Sequence, residues 1–376
     1  MTPPPLRVGL VGYGYAGKTF HAPLIAGVPG LRLAAVSSRD AARVLADWPD
    51  VEVLPDARAL VQRADLDLVV IASPNDSHFP LARAALAAGR HVVVDKPFTL
   101  TLAEARELCA LAHARGRLLS VFHNRRWDSD FLTLRAMLQS GTLGRIVHVE
   151  SAFDRFRPAV RVRWRESATP GGGLWFDLGP HLLDQALQLF GWPASITLEQ
   201  AVLREGGQAD DWFQARLHYP GLRVLLRASM LAAAPAPRFV VHGTAGSWTK
   251  LGLDPQEDAL KASVRPAWPP PTDWGQDRGV SLITRPDPQH GDALVTDHWP
   301  LLPGRQGTYY AALHDALRGV AANPVPPEQA AAVMALVELG QRSARDGRAL
   351  AAGVSPLVAA APTAQTAGSH RPQETG

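Results

Sequence analysis

The first third of the chain alternates short apolar runs with segments of helical pattern. The runs lack polar alternation and are rich in β-branched residues, which is typical of strands buried on both faces of a parallel sheet. Because capping residues and glycines separate these runs, the pattern predicts an α/β domain with a doubly wound parallel sheet over residues 1–124. The strands are predicted at Leu6–Val11, Leu31–Ser37, Leu66–Ile71, Val92–Val94 and Leu118–Phe122.

Several helices of this region have recognisable ends. Asp56 can cap a helix that runs to Arg63, and Gly89 can terminate the helix before the fourth predicted strand. The sequence Thr101-Leu102-Ala103-Glu104 is a capping box, which predicts the start of a helix that contains Cys109.

The pattern changes after Gly144, where strands follow one another with one clear helix between them, from Pro180 to about Phe190. This order predicts a second, α+β domain over residues 125–350 with an open, mostly antiparallel sheet. The strands are predicted at Ile146–Phe153, Ile196–Leu203, Trp212–Tyr219, Leu222–Ser229 and Arg238–His242.

Three later segments differ in composition. Residues 252–308 are rich in proline and tryptophan, and we expect them to form long ordered loops over one face of that sheet. Residues Glu328–Arg345 return to a helical pattern. The alanine, proline, threonine and glycine content of residues 351–376 predicts a disordered tail.

Charge and cysteine content narrow the class of protein. The chain has 38 basic and 35 acidic residues, dispersed along the sequence, so neither nucleic acid nor a membrane is indicated as a partner. Its one cysteine, Cys109, excludes an intramolecular disulfide and fits the reducing cytoplasm. No run of 18 apolar residues and no secretory-type start is present, so neither a transmembrane helix nor a signal peptide is expected.

A glycine-rich loop follows the first predicted strand. Gly12-Tyr13-Gly14-Tyr15-Ala16-Gly17 has the G-x-G-x-x-G spacing, precedes a helix predicted through Ile25, and is followed by a second strand. Glycines at this spacing allow a tight turn and let backbone N–H groups approach a pyrophosphate. The pattern predicts a dinucleotide site, with Gly12, Tyr13, Gly14, Tyr15 and Ala16 as cofactor-binding residues.

The end of the second strand indicates which dinucleotide binds. An enzyme that uses NAD would place a carboxylate there to bind the ribose 2′-OH. The chain instead has Ser38 and Arg39, which suit a 2′-phosphate, so NADP is favoured. Asp40 is the next residue and keeps NAD open as the alternative.

Polar residues also follow the third predicted strand. Ser73, Pro74, Asn75 and His78 are predicted to contact the cofactor, because loops at the carboxyl ends of parallel strands line the ligand cleft. Each of these polar side chains could instead cap the following helix.

Lys96 stands directly after the apolar run Val92–Val94 and before Pro97. A lysine at this edge of the sheet can contact both a cofactor and a substrate, although a lysine at a strand end can also simply reach water. A hydroxyl that loses hydride to a nicotinamide must lose a proton as well, and Lys96 can stabilise the negative charge on its oxygen.

The second domain contains another group of reactive residues, Asp177-Leu178-Gly179-Pro180-His181 with Asp184 beyond it. Pro180 suits a first helical position, which would place Asp177 just before the helix and His181 in its first turn. An imidazole flanked by carboxylates can shuttle a proton near neutral pH. Asp177 could instead be a helix cap and His181 an interior histidine; a metal site is not expected, because no compact set of ligands accompanies them.

Taken together, the glycine loop, Asp95-Lys96-Pro97 and Asp177–His181 resemble the glucose-fructose oxidoreductase and inositol dehydrogenase family (Gfo/Idh/MocA) over residues 5–350. Longer strings are similar to the NADP-dependent scyllo-inositol dehydrogenases of that family. These strings are Gly17–Leu24, His123–Phe131, Arg163–Glu166 and Gln256–Leu260.

The resemblance implies a Rossmann domain followed by an open-sheet domain, with Lys96, Asp177 and His181 as the catalytic set. It also implies a cis bond before Pro97 and assembly into homodimers or homotetramers. Asp95 departs from the family's usual glutamate.

The expected activity is hydride transfer between NADP, or NAD, and a secondary alcohol of a cyclic polyol or sugar. The alternative is a regulatory protein that senses NADP without turnover. The substrate contacts would come from Lys96, Asn124, Arg126, Arg155, Arg157, Trp164, Asp177 and His181.

Overall fold

The structure is a computed structural model that describes residues 3–234, 236–290 and 293–355. Residues 356–376, which make up most of the predicted tail, lie outside the described residues. Across the described part of the chain, no helix is both long and apolar enough to cross a membrane. Assembly into dimers or tetramers stays a prediction.

A six-stranded sheet forms the first domain, in the order β3-β2-β1-β4-β5-β6, and every neighbouring pair is parallel. The predicted doubly wound parallel sheet is confirmed, and within this sheet the short β3 is the strand that the sequence pattern missed. The strands are β1 (Leu6–Val11), β2 (Leu31–Ser37), β3 (Glu52–Leu54), β4 (Leu68–Ile71), β5 (His91–Val94) and β6 (Leu119–Val121).

Helices cover both faces of this sheet, and their caps match the sequence signals. Asp56 accepts hydrogen bonds from the first turn of its helix, and Thr101 and Glu104 form the predicted capping box. The glycine loop leads into a π-helical turn, Gly17–His21, that continues as the first helix. The helices are α1 (Ala22–Ala26), α2 (Ala41–Asp47), α3 (Ala57–Val61), α4 (His78–Ala87) and α5 (Leu102–Ala114).

The second sheet has nine described strands in the order β14-β13-β12-β11-β7-β10-β9-β8-β15. It is mostly antiparallel, as predicted, with a parallel pair formed by β7 and β10. The strands are β7 (Ile146–Ala152), β8 (Ser195–Ala201), β9 (Trp212–Tyr219), β10 (Leu222–Ser229), β11 (Pro237–Gly243), β12 (Gly246–Leu251), β13 (Ser281–Pro286), β14 (Leu294–His298) and β15 (Leu350–Ala351).

Five helices accompany this sheet, and three of them were not predicted, namely α6, α8 and α9. The helices are α6 (Ser129–Ser140), α7 (Leu174–Phe190), α8 (Gln256–Lys261), α9 (Thr308–Leu317) and α10 (Pro327–Asp346).

The start of α7 corrects one prediction. The helix begins at Leu174, so Asp177 lies in its first turn and Pro180 lies inside it. Asp210 explains the difference, because its backbone oxygen accepts the Leu174 N–H at 2.8 Å and its carboxylate accepts the Trp175 N–H at 2.7 Å. A residue distant in sequence therefore satisfies the N-terminal N–H groups that a local cap would otherwise bind.

Residues 252–308 are also more regular than predicted. They contain α8 and the hairpin of β13 and β14, which extends the second sheet beyond β12. At the other edge, β15 pairs with β8, and Trp192 donates its indole N–H to the Gly353 oxygen at 3.1 Å. Residues 351–353, which were assigned to the tail, therefore belong to the folded domain.

Helix α10 packs against α5 of the first domain and against α7 and β8 of the second. Its Gly340 faces the fully buried ring of Trp175 in α7, and a Cβ added at Gly340 would lie 2.8 Å from that ring. Close packing here sets the position of α7, the helix that carries Asp177 and His181.

We expect Gly340→Ala to destabilise the protein by about 1–3 kcal/mol, because the added methyl group overpacks a filled core. Helix propensity alone predicts the opposite sign, since alanine is favoured over glycine by about 1 kcal/mol in a helix. Urea unfolding measures the difference. The half-buried Ala335→Gly on the same helix is the control for propensity, and an unfolding midpoint raised by Gly340→Ala would contradict this packing argument.

Candidate active site

A cleft of ≈ 630 Å³ lies at the carboxyl ends of β1, β2 and β4. The glycine loop, the end of β2 and the loop after β4 form its walls. The predicted cofactor residues that line it are Gly12, Tyr13, Gly14, Tyr15, Ala16, Ser38, Arg39, Ser73 and Pro74.

The glycines of the loop have separate roles. Gly12 has φ +93°, and a Cβ there would lie 2.7 Å from the Ala72 oxygen. A Cβ on Gly17 would lie 2.0 Å from the Gly12 oxygen, so this position packs the loop against the helix. Gly14 has no atom within 4 Å of its Cβ position, which leaves its backbone accessible to a ligand. The loop therefore fits the pyrophosphate of a dinucleotide.

Two arginines and an aspartate that caps α2 surround the end of β2. Asp40 caps α2, since its carboxylate accepts the Arg43 N–H at 3.0 Å. Its own N–H donates to the Ser38 hydroxyl at 3.1 Å. Arg39 and Arg43 line the cleft beside them, so this end of the cleft presents two guanidinium groups.

Lys96 extends from the end of β5 to the first turn of α7. Its Nζ donates to the Asp177 backbone oxygen at 2.7 Å and to the Asp177 carboxylate at 3.0 Å. The Lys96-Pro97 bond is cis, as the resemblance implied. The structure thus joins the two candidate groups that lie 81 residues apart in sequence.

Asp95 supports Lys96 from behind. Its carboxylate accepts the Lys96 backbone N–H at 2.8 Å and lies 3.8 Å from His21 Nε2. His21 Nδ1 is in turn 2.6 Å from the Tyr310 hydroxyl. Asp95, His21 and Tyr310 are all buried, so the carboxylate that holds the Lys96 backbone is itself fixed inside the core.

The charge states of Asp177 and His181 follow from their surroundings. Burial opposes ionisation of Asp177, but Lys96, Arg165 and Arg155 outweigh it and hold the pKa of the carboxyl well below its usual range. Burial, with Lys96 and Arg125 nearby, lowers the pKa of His181 well below 6.5. Asp177 is therefore an anion and His181 a neutral imidazole at neutral pH.

Lys96, Asp177 and His181 open onto a second cavity of ≈ 250 Å³ that adjoins the cleft, since Tyr15, Ala16 and Arg165 line both. Phe20, Phe122 and Leu178 give it an apolar part. Its polar lining is made by Asp95, Lys96, Asn124, Arg125, Arg155, Arg157, Arg161, Arg163, Arg165, Asp177, His181, Glu257 and Lys261.

Arg126, predicted to bind substrate, lies outside this cavity. It is buried and forms a two-bond pair with the Asp184 carboxylate at 2.9 and 2.6 Å, and it also donates to Gln329 at 2.7 Å. The neighbouring Arg125 lines the cavity instead, where its guanidinium pairs with Asp128 and Glu257. The single helical turn over Asn124–Trp127 directs consecutive side chains to different sides.

Three other predicted contacts are placed differently. Asn75 is buried and donates to the Gly171 oxygen at 3.0 Å. The ring of His78 lies between the Pro97 oxygen, at 2.8 Å, and the Ser73 oxygen, at 3.0 Å, so these two residues support the cleft from below. Trp164, predicted for the substrate, lines the dinucleotide cleft.

Sequence reasoning missed several lining residues. Arg43 follows the predicted ribose site by one helical turn, so its position was a usable signal. Glu257 lies in the family-like string Gln256–Leu260, but its pairing with Arg125 could not be predicted, because Arg125 is 132 residues away and only the folded chain brings them together.

The cleft and cavity define a class of protein, a dinucleotide-dependent oxidoreductase whose second domain completes the site. Residues 6–123 match the oxidoreductase family with the NAD-binding Rossmann fold (GFO/IDH/MocA), and residues 131–249 match the GFO/IDH/MocA C-terminal domain. The chain belongs to the Gfo/Idh/MocA family, and the resemblance is confirmed.

Similar proteins span nearly the whole chain. It is 56% identical to the uncharacterized oxidoreductase YdgJ of Escherichia coli, over 90% of this chain and 96% of that one. It is 34% identical to the scyllo-inositol 2-dehydrogenase (NADP(+)) IolW of Bacillus subtilis, over 92% and 95%. A solved oxidoreductase structure from Yersinia pestis, 54% identical, matches with a TM-score of 0.87 and covers 93% of this chain and 98% of that chain.

We expect acid to weaken the fold through its buried histidines. Burial lowers the pKa of His123 to about 4 and that of His181 well below 6.5, whereas an unfolded histidine has a pKa of about 6.5. The unfolded state therefore binds more protons as the pH falls, and stability that is present above about pH 6.5 is lost towards about pH 4.

Urea midpoints measured between about pH 7 and about pH 4.5 should fall, and His123→Gln should make that fall smaller. A variant whose midpoint changes with pH as steeply as that of the unaltered protein would show that His123 does not contribute.

Proposed function

We propose that the protein transfers hydride between NADP and a secondary alcohol of a cyclic polyol or sugar. The observation that carries this proposal is the contact of Lys96 Nζ with Asp177, at 2.7 and 3.0 Å, between a dinucleotide cleft and an adjoining cavity. The similarity to a relative named scyllo-inositol 2-dehydrogenase (NADP(+)) supports a polyol substrate and NADP.

The preference for NADP is supported by the end of β2. The Asp40 carboxylate already accepts an N–H of α2, so it is poorly placed to bind a ribose hydroxyl. Ser38, Arg39 and Arg43 would hold the 2′-phosphate by charge-assisted hydrogen bonds, while the backbone at Gly14 would approach the pyrophosphate. When bound, the dinucleotide supplies the hydride acceptor.

Lys96, His181 and Asp177 divide the proton chemistry in this proposal. Lys96 Nζ would donate a hydrogen bond to the substrate oxygen and stabilise its developing negative charge. His181 enters the site as a neutral imidazole and can accept the proton. Asp177 stays ionised, and its role is to hold Lys96 in position.

The experiment that tests this function is a substrate panel of inositols and pyranoses, run with NADP and with NAD and followed through the reduced nicotinamide. NADP reduction by at least one member supports a dehydrogenase. If no member is oxidised while NADP still raises the melting temperature, the protein is a sensor of NADP and the proposal fails.

We expect Arg39→Ala to weaken NADP binding by about 10- to 100-fold and NAD binding far less, because it removes a charge-assisted bond to the 2′-phosphate. Asp40→Asn is the matched variant, because asparagine also caps a helix but lacks the charge. It should leave the affinity for NAD nearly unchanged. Equal losses for both cofactors in Arg39→Ala, or a selective loss of NAD in Asp40→Asn, would place the ribose site at Asp40.

We expect Lys96→Met to lower turnover by about 10²- to 10⁴-fold, the usual contribution of a group in proton transfer. The NADP affinity, measured by titration of the protein, should be largely kept, because the phosphate contacts lie elsewhere in the cleft. Turnover that is unaffected by this substitution would remove Lys96 from the mechanism.

A further inference from the structure

The cavity that adjoins the dinucleotide cleft is strongly cationic. Eight lysine and arginine side chains line it, but only three carboxylates line it. The cations are Lys96, Arg125, Arg155, Arg157, Arg161, Arg163, Arg165 and Lys261, and the carboxylates are Asp95, Asp177 and Glu257. This imbalance exceeds what the chain as a whole predicts, since its formal net charge is +3.

Five of the eight cations have carboxylate partners. Lys96 and Arg165 lie near Asp177, at 3.0 and 3.7 Å. Arg125 and Lys261 share Glu257, at 2.9 and 3.3 Å. Arg163 pairs with Glu166 at 2.6 Å, so the carboxylates in and around the cavity are already engaged.

Three guanidinium groups have no such partner. Within the described residues, Arg155, Arg157 and Arg161 form neither a side-chain hydrogen bond nor an ion pair, although Arg155 lies over the Phe153 ring at 5.1 Å. Arg161 is exposed at the rim, but Arg155 and Arg157 are half-buried. Burial, together with Arg155, Arg163 and Arg161, lowers the pKa of Arg157 and outweighs the attraction of Asp177, so repulsion among these cations is not fully offset.

The backbone holds Arg155 and Arg157 in fixed positions. Their N–H groups donate to the Ser229 and Met230 oxygens at 2.8 and 2.7 Å, which continues the alignment of β7 with the end of β10. Half-buried like charges are unfavourable unless a counter-charge arrives. The fixed backbone keeps both side chains at the cavity, so the cavity is prepared for an anion.

The cofactor does not account for these three arginines. Arg165 lines both the cleft and the cavity and can serve a cofactor phosphate. Arg155, Arg157 and Arg161 line the cavity but not the cleft, so their counter-charge would come from the second ligand.

We infer that the substrate is an anionic sugar or cyclic polyol, with its reacting hydroxyl at Lys96 and a phosphoryl or carboxylate group at Arg155 and Arg157. This inference rests on the proposed function and narrows its substrate class. Guanidinium groups bind such oxyanions through paired, charge-assisted hydrogen bonds. The cavity volume of ≈ 250 Å³ is at the small end for ligand sites and suits a single ring.

The test compares neutral compounds with counterparts that carry one added anionic group. With saturating NADP, kcat/KM is measured for myo-inositol against myo-inositol 1-phosphate, and for glucose against glucose 6-phosphate and glucuronate. At least one anionic compound should exceed its neutral partner by about 10-fold or more. The excess should shrink as salt is raised from about 0.01 M to about 1 M, because the ions screen the attraction. The phosphate and the carboxylate compounds distinguish the two anions.

Two variants assign the effect to the unpaired arginines. Arg155→Gln and Arg157→Gln should each lower the ratio of anionic to neutral kcat/KM by about 10- to 100-fold. Arg106→Gln, on the exposed side of α5, removes the same charge far from the cavity and should leave the ratio unchanged. Melting temperatures check that each variant is folded, and titration of glucose 6-phosphate into the NADP-saturated protein measures binding without turnover.

The outcomes separate this inference from the proposed function. If each neutral compound has a kcat/KM at least as high as that of its anionic counterpart, the protein is still a dehydrogenase but the anion site is overturned. Binding of glucose 6-phosphate that Arg157→Gln weakens, without oxidation of any compound, would keep the anion site and overturn the dehydrogenase. If no compound is oxidised and glucose 6-phosphate does not bind, both the dehydrogenase and the anion site are overturned.

Discussion

The contact between Lys96 and Asp177 is the interaction on which the site depends. It joins the carboxyl end of a buried parallel strand to the first turn of α7, and it brings two domains to one point. Each partner is fixed from behind, Lys96 by Asp95 and α7 by Asp210 and the packing of Trp175 on α10. If Asp95 or the residues that fix α7 moved, Lys96 at the dinucleotide cleft would separate from Asp177, which faces the second ligand.

This contact also sets the electrostatics of the cavity. Asp177 stays ionised because cations surround it, and His181 stays neutral because burial and the same cations disfavour a further charge. The Asp177 carboxylate forms its close contacts with Lys96 and Arg165, at 3.0 and 3.7 Å, so among the described residues Arg155 and Arg157 have no carboxylate within ion-pair distance. One arrangement therefore gives the site a held lysine, a neutral base and an excess of positive charge.

The sequence predicted the features that local chemistry determines. The parallel strands, the glycine loop and the capping box all follow from patterns within a few residues. The start of α7 did not, because Asp210 supplies its cap from 36 residues beyond Leu174. The choice of Arg125 over Arg126 also could not be predicted, because it depends on Asp184 and Glu257, which only the tertiary fold brings near.

A crystal structure of the protein with NADP bound would show directly whether the Lys96–Asp177 contact lies at the nicotinamide. We expect the pyrophosphate against Gly14, the 2′-phosphate against Arg39 and Arg43, and the nicotinamide at the junction where Lys96 Nζ still contacts Asp177. A nicotinamide directed away from Lys96, or a Lys96 separated from Asp177 in that complex, would contradict this expectation.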